Sequence, residues 1–383
     1  MRVHVVDPSA FTPPYDHALC GALAARGLDV VLETSRFPYG DAPWNDGAAG
    51  RAGYELREGF YRHGTALPGP LRLTAKLAQH GPGMRAVARR ARRERADVLH
   101  FQWLPVQHVD GLLLPRDRPL VLTAHDVLPR EPRTGQLAAQ KRLYHRVDAI
   151  VVHSEHGRDR LVAEADVPHD KITVIPHGAF THLADLAAAD PPPALPPEVG
   201  ESGRGVPVAL FFGLLREYKG LDVLLDAWAL VRRAGTEAEL WIAGMPRMDT
   251  RALHAQAGAA GGVRFVERFV SDREAAALLA RADVVVLPYR EIEQSGVLFS
   301  AIGMGKAIAL SAVGGFPEVA AEGAATLVPH ADPAALATTL GRLLGDRDER
   351  QRLQDGARAV GTGRYAWSAV AEQHEALYRR LLG

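Results

Sequence analysis

The segment ADVVVLPYREIEQSGVLFSAIGMGKAIALSAVGGFPE, residues 282–318, decides the fold. Val284–Leu287 contains no polar residue, which suits a parallel strand covered on both faces. Pro288 stops it, and a polar loop with Glu291, Glu293 and Gln294 follows. Ser295 and Gly296 then open an apolar segment, Val297–Gly303, that reads as a helix; past Gly305 and Lys306 a second apolar run, Ala307–Ser311, reads as a strand. Strand, acidic loop, helix, strand is one turn of an open α/β sheet, and such sheets take ligands at the carboxyl ends of their strands. The free N–H groups and the positive dipole end at the helix start favour phosphate. The neighbouring carboxylates suit hydroxyl groups, so the pair of features suits a nucleotide-sugar.

The same alternation extends in both directions. Towards the N-terminus, Val3–Val6, Asp29–Leu32, Asp97–Phe101, Leu120–Ala124, Ile150–His153 and Ile172–Ile175 read as strands. A helix is expected from Asp16, as its cap, to Arg26, ended by Gly27. Residues 38–70 read as a long irregular loop, followed by helices at Leu71–Gln79 and Met84–Arg95. The run of Pro, Ala and Gly over Ala187–Gly205 is the clearest linker. Beyond it the pattern restarts: Val208–Phe212, Glu239–Ala243 and Val263–Val266 as strands, with helices at Leu221–Ala234, Ser271–Arg281 and Asp332–Leu344. A last helix carries Trp367, Val370, His374 and Leu377 at helical spacing. The expected organisation is an N-terminal unit over 1–190, a linker over 191–205, a second unit over 206–365 and a helix over 366–383.

Composition removes several classes of function. Lys plus Arg and Asp plus Glu balance at 45 each, so net charge gives no support to wholesale nucleic-acid binding. Cys20 is the only cysteine, which excludes an intramolecular disulfide and a multi-cysteine zinc site. No apolar run approaches a membrane span, and the expectation is a cytoplasmic protein. The opening βαβ pattern has no G-x-G-x-x-G, so hydride transfer loses its main signal. His153–His156 reads H-S-E-H, but it bridges a strand end and a helix start, and no metal site is expected there. Arg85, Arg89, Arg92 and Arg93 share a helix face: either a solvated face or a surface for anionic lipid at the inner membrane face or for a phosphorylated acceptor.

Taken in order, TAHDVLP (123–129), VVHSEHGRDRL (151–161), VIPHGAF (174–180), FFGLLREYKGLDVLLDAW (211–228), ADVVVLPYREIEQSGV (282–297) and GKAIALSAVGGFPEVA (305–320) resemble the GT-B fold retaining glycosyltransferases of family 4, within them a sub-branch whose donor loop reads Q-S-G-V. The resemblance covers nearly the whole chain. It implies two Rossmann-like, doubly wound units facing across a cleft, a C-terminal helix crossing back to the first, nucleotide-sugar on the second unit and acceptor on the first.

The resemblance also assigns roles. Lys219 matches the family lysine that holds the donor diphosphate. Leu214 stands where the family arginine is usual, and Arg216 is the nearby substitute. Fixed cations stabilise a leaving diphosphate without metal, and no cofactor is implied beyond the nucleoside-diphosphate sugar itself. Ser295, Gly296 and Val297 would offer backbone N–H groups to phosphate, and Gly213 and Ser300 would border the nucleotide. Of the family's paired glutamates, the first falls near Ile292, leaving Glu291 or Glu293 to take sugar hydroxyls, and the second falls on Ser300. His125 matches a family histidine near the reacting centre, while His17 and Trp103 are placed on the acceptor side; His153 and His177 read as structural. Three alternatives stay open at this point: a nucleotide-sugar epimerase, a sugar phosphorylase, and a weakly active donor-binding subunit that needs a partner.

Overall fold

In the computed structural model, residues 1–37, 53–63, 69–129, 132–200 and 205–383 are described. The chain divides into two units: Met1–Gly178 with Trp367–Gly383, and Ala179–Ala366.

The first unit holds β1 (Arg2–Asp7), β2 (Asp29–Ser35), β3 (Glu55–Phe60), β4 (Val98–Phe101), β5 (Leu120–Thr123), β6 (Ala149–Val152) and β7 (Ile172–Val174). Every pairing is parallel, in the order β3-β2-β1-β4-β5-β6-β7. The second unit holds β8 (Val208–Phe212), β9 (Glu239–Ala243), β10 (Val263–Val266), β11 (Val284–Leu287), β12 (Ala307–Ser311) and β13 (Thr326–Val328), again all parallel, in the order β10-β9-β8-β11-β12-β13. Helices cover the sheets, and the central strands β11 and β12 have no exposed residue: VVVL is apolar throughout and AIALS as far as Ser311. The order reverses between β1 and β4 and between β8 and β11. Open α/β sheets take ligands at such switch points, outside the carboxyl ends of the strands.

The helix at Trp367–Leu382 belongs to the first unit, where it packs on the helix Pro13–Ala25. Arg26 and Glu375 pair at 2.6 Å, and the Tyr378 hydroxyl lies 2.7 Å from His100 Nδ1. A Cβ at Gly178 would sit 2.4 Å from the Trp367 ring, so the glycine of P-H-G leaves room for the indole.

Three local expectations are corrected. The first helix begins at Pro13 with Thr12 as its N-cap; Pro13 and Pro14 fill first-turn positions that need no N–H donor, and Asp16 lies buried inside the helix. Glu55–Phe60 forms the edge strand β3 inside the stretch read as loop; ELREGF has neither β-branched residues nor alternation, so its strand state comes from pairing with β2. One helix, Gly69–Arg93, replaces the two expected. It runs through Pro82, and the Phe60 ring packs where a Cβ on Gly83 would lie 2.8 Å away, so packing from β3 offsets the bond that proline removes. The rest of the 38–70 loop lies mostly outside the described residues, including Trp44. No described helix is long and apolar enough to cross a membrane.

Candidate functional site

The switch point of the second sheet is built by the loops after β8 and β11. Gly220 has φ +65° and a Cβ there would fall 2.1 Å from the Pro288 carbonyl oxygen, so the loops touch backbone to backbone. Arg290 fastens them: its N–H donates to Tyr218 O at 2.7 Å, and its guanidinium binds Asp222 at 2.8 and 2.6 Å. Gly314 (φ +55°) would place a Cβ 1.5 Å from Ile292 O, and Gly315 N–H donates to Glu293 O at 3.2 Å. The acidic loop is thus pressed between the β8 and β12 loops.

Lys219 is buried, 6 % exposed. Its ammonium lies 5.0 Å from the Tyr289 ring centre and 5.8 Å from that of Phe211. A Cβ on Gly213 would be 2.9 Å from Lys219 Nζ and 3.0 Å from Val297 Cγ2. The ammonium, the bare Gly213 backbone and the first turn of the helix Gly296–Gly303 therefore converge. Ser295 caps that helix with extended backbone but no side-chain bond, and no acidic residue lies in the first turn. The helical ladder starts with Phe299 N–H donating to Ser295 O at 3.3 Å, so the N–H groups of Gly296, Val297 and Leu298 precede it. A fixed cation beside free helix N–H groups is an oxyanion site.

The remaining assigned residues of this unit fall around it. Arg216 is exposed on the same loop and makes no ion pair with a described carboxylate, and Leu214 is 39 % exposed. Glu291 is exposed and Glu293 buried, on the loop between β11 and the helix. Ser300 is buried and its hydroxyl donates to Gly296 O at 3.0 Å, within the helix.

In the first unit, the β1 and β4 loops meet at Trp103, whose indole N–H donates to Thr12 Oγ1 at 3.0 Å. Asp7, at the end of β1, accepts from the N–H groups of Ser9, Phe11 and Thr12 and shapes this loop without glycine. Burial, then the Asp7 charge and a shared hydrogen bond, push the Asp16 carboxyl well above its usual range, so the two acids share a proton. His17 bonds the Tyr54 hydroxyl, and burial lowers its imidazole to about 4.

His125 stacks on Trp103, rings 5.1 Å apart at 17°, and meets Tyr15 edge-on at 4.8 Å. It is one link of a chain. His153 Nδ1–H donates to Ile175 O at 3.0 Å, so in its neutral form His153 accepts at Nε2 from His125 Nδ1, 3.2 Å away. His125 Nε2 lies 3.0 Å from Gln102 Oε1, and a neutral His125 that donates at Nδ1 accepts at Nε2 once that amide is flipped to present its nitrogen. Burial first, and then neighbouring imidazoles, hold His125 well below its usual range, and burial lowers His153 to about 4. Both nitrogens of His125 are engaged inside this unit, so its part is to present a neutral, oriented ring. Tyr15, His177 and Trp367 complete the cluster, an assembly drawn from six separated segments. The sequence singled out His125, Trp103 and Trp367 and noted His153 and His177 as structural, but nothing in it brought them together or pointed to Tyr15. No group of three potential metal ligands occurs among the described residues.

Two family models match. One described as Glycosyltransferase Family 4 covers residues 15–183, and one described as Glycosyl transferases group 1 covers residues 206–346. The D-inositol 3-phosphate glycosyltransferase of Corynebacterium efficiens is 29 % identical over 332 residues, spanning 80 % of this chain and 76 % of that one. Among solved structures, Anabaena HepE, determined with UDP and glucose, superposes with TM-score 0.74 at 19 % identity, covering 100 % of both chains. Sucrose-phosphate synthase from Thermosynechococcus elongatus gives TM-score 0.73 at 20 % identity, over 100 % of this chain and 99 % of that one. The fold is GT-B, and the chain belongs to the family-4-related superfamily of GT-B glycosyltransferases.

Proposed function

We propose that the chain is a retaining glycosyltransferase that moves a sugar from a nucleoside-diphosphate sugar to a hydroxyl of a glycan, glycolipid or small-molecule acceptor. The observation that carries this reading is the convergence of the Lys219 ammonium, Gly213 and the start of the helix Gly296–Gly303 at the switch point of the second sheet. That arrangement fits the diphosphate of a donor, with Arg216 at the rim. Charge grows on the leaving diphosphate in the transition state, and donors already in place stabilise it without reorganising. In this reading the fixed cations take the role a metal plays elsewhere, Glu291 or Glu293 takes sugar hydroxyls, and the acceptor proton passes to the departing phosphate. His125, His17 and Trp103 serve the acceptor side. In this proposal the chain belongs to a sub-branch whose donor loop reads Q-S-G-V, as residues 294–297 do here, and is a cytoplasmic protein, with the Arg85–Arg95 face as its candidate contact with the inner membrane face.

The test is Lys219→Ala. Loss of a charge-assisted contact to a desolvated phosphate is worth ~2–3 kcal/mol, about 30- to 150-fold in nucleoside-diphosphate affinity. Affinity within about two-fold of wild type defeats the assignment. Retention is read from the anomeric configuration of the first product by NMR.

One second reading has its own observation. Leu214 and Ser300 stand where the family has a cation and a carboxylate, and Ser300 already donates to its own helix. A donor-binding subunit with little activity would bind a nucleoside diphosphate as tightly, yet neither transfer nor hydrolyse the sugar.

A further inference from the structure

Away from the His125 cluster, the first unit has a pocket of about 1020 Å³ bordered by β3, the end of β2 and the first turns of the helix Gly69–Arg93. Six cations line it, Arg36, Arg57, Arg62, Arg72, Lys76 and Arg90, against one carboxylate, Glu58. Two of the six are structural. Arg90 holds the buried Glu33 at 2.9 and 2.6 Å, and Arg57 holds Glu55 and Glu94. The other four make no ion pair with a described carboxylate.

Burial first, and then the Arg72 guanidinium, hold the Lys76 ammonium below its usual range, so the one carboxylate of the lining does not neutralise the cations gathered there. Lys76 lies 5.1 Å from the ring centre of Tyr61. Tyr61 itself is fixed with φ +50°, its hydroxyl 2.7 Å from His80 Nδ1, and His80 Nε2 is 2.5 Å from the buried Asp110. An aromatic floor under cations that no described carboxylate pairs, with Ser9 and Ser35 in the lining, suits an anion with several acceptor oxygens.

We infer that this pocket binds a phosphate group carried by the acceptor, and that the acceptor class is therefore phosphorylated. The inference rests on reading the first unit as the acceptor side. The phosphate has two possible carriers, a soluble sugar or polyol and a lipid. Leu71, Leu73 and Leu77 are each more than half exposed beside Arg72 and Lys76, which makes the lipid arm a necessary part of the test.

Inorganic phosphate and glucose 1-phosphate are titrated into the full chain, into R72Q/K76Q and into R36Q/R62Q. The series is repeated on a Lys219→Ala background, so that phosphate at the proposed donor site does not mask the result. Both double variants are expected to weaken phosphate binding at least about ten-fold and to bind nucleoside diphosphates within about two-fold of wild type. In parallel, the chains are floated with phosphatidylcholine vesicles with and without phosphatidic acid. Phosphate binding without vesicle association assigns a soluble acceptor. Association only with phosphatidic acid vesicles, lost in R72Q/K76Q, assigns a lipid-borne one. Absence of both, or unchanged binding in the two double variants, overturns the inference. Loss of nucleoside-diphosphate binding by wild type, with phosphate binding intact, would strike the donor reading and leave this one standing.

Discussion

Lowering the pH should unfold the first unit before the second, because its core holds five imidazoles in their neutral form. Burial lowers His153 and His374 to about 4 and pushes His100, His125 and His177 well below the usual range. At pH 7.5 these groups are neutral in folded and unfolded chains alike, so their neutrality costs nothing. Below about 6.5 the unfolded chain takes up protons that the fold refuses, and stability falls until the folded values are reached. Each imidazole removes ~1.4 kcal/mol per pH unit, about 2 kcal/mol by pH 5. His153 and His374 alone give ~4 kcal/mol there, and His17, His100, His125 and His177 add to the loss in the same direction, against a whole-domain stability of ~5–15 kcal/mol. The Asp7–Asp16 pair works the other way, since Asp16 holds a proton that an unfolded carboxyl releases, and it offsets part of the loss. The assay is urea unfolding at pH 7.5, 6 and 5, read by peptide-resolved hydrogen exchange corrected for the intrinsic rate. Peptides over β4–β6 should lose protection well ahead of those over β8–β12. His153→Asn, whose amide nitrogen can keep the bond to Ile175 O, should lower the slope by ~1.4 kcal/mol per pH unit. Equal protection of β4–β6 at pH 7.5 and 5 would refute the reasoning.

Gly178→Ala forces a methyl against the Trp367 ring and should cost ~1–3 kcal/mol, a few degrees of thermal midpoint, with the helix Trp367–Leu382 the first segment to exchange. Ser271 accepts from Glu274 N–H at 3.3 Å while Glu274 reaches back to Ser271 N–H at 3.0 Å, so Ser271→Ala should cost ~1 kcal/mol in calorimetry and leave nucleotide affinity unchanged. Ser300→Ala should change nucleoside-diphosphate affinity less than about three-fold, because the hydroxyl's donor is already used on Gly296 O; a loss beyond ten-fold would show that its lone pairs grip the ribose.

The strands were legible because a sheet covered on both faces leaves its mark on every residue: VVVL and AIALS admit no other reading. Where the cause lay elsewhere in the chain, the sequence was silent. ELREGF is a strand only because β2 offers it a free edge, and the helix at Gly69–Arg93 survives Pro82 through packing on Phe60. Lys219 could be singled out from its neighbours, but its position beside Gly213 and Val297 depends on the contacts of Gly220 with Pro288 and of Gly314 with Ile292, which join segments far apart. The imidazole chain is likewise made of residues scattered over many strand ends, and the cationic pocket joins the end of β2, β3 and the helix Gly69–Arg93, so no local window contains either.

The most direct test is equilibrium binding of UDP, GDP, TDP, ADP and CDP, with and without magnesium, to wild type and Lys219→Ala. The account predicts that at least one nucleoside diphosphate binds wild type without magnesium, stabilising it by ~2.7 kcal/mol at a hundred times its dissociation constant, and that Lys219→Ala loses most of that affinity. Binding of none of the five, or equal binding to the variant, would contradict it.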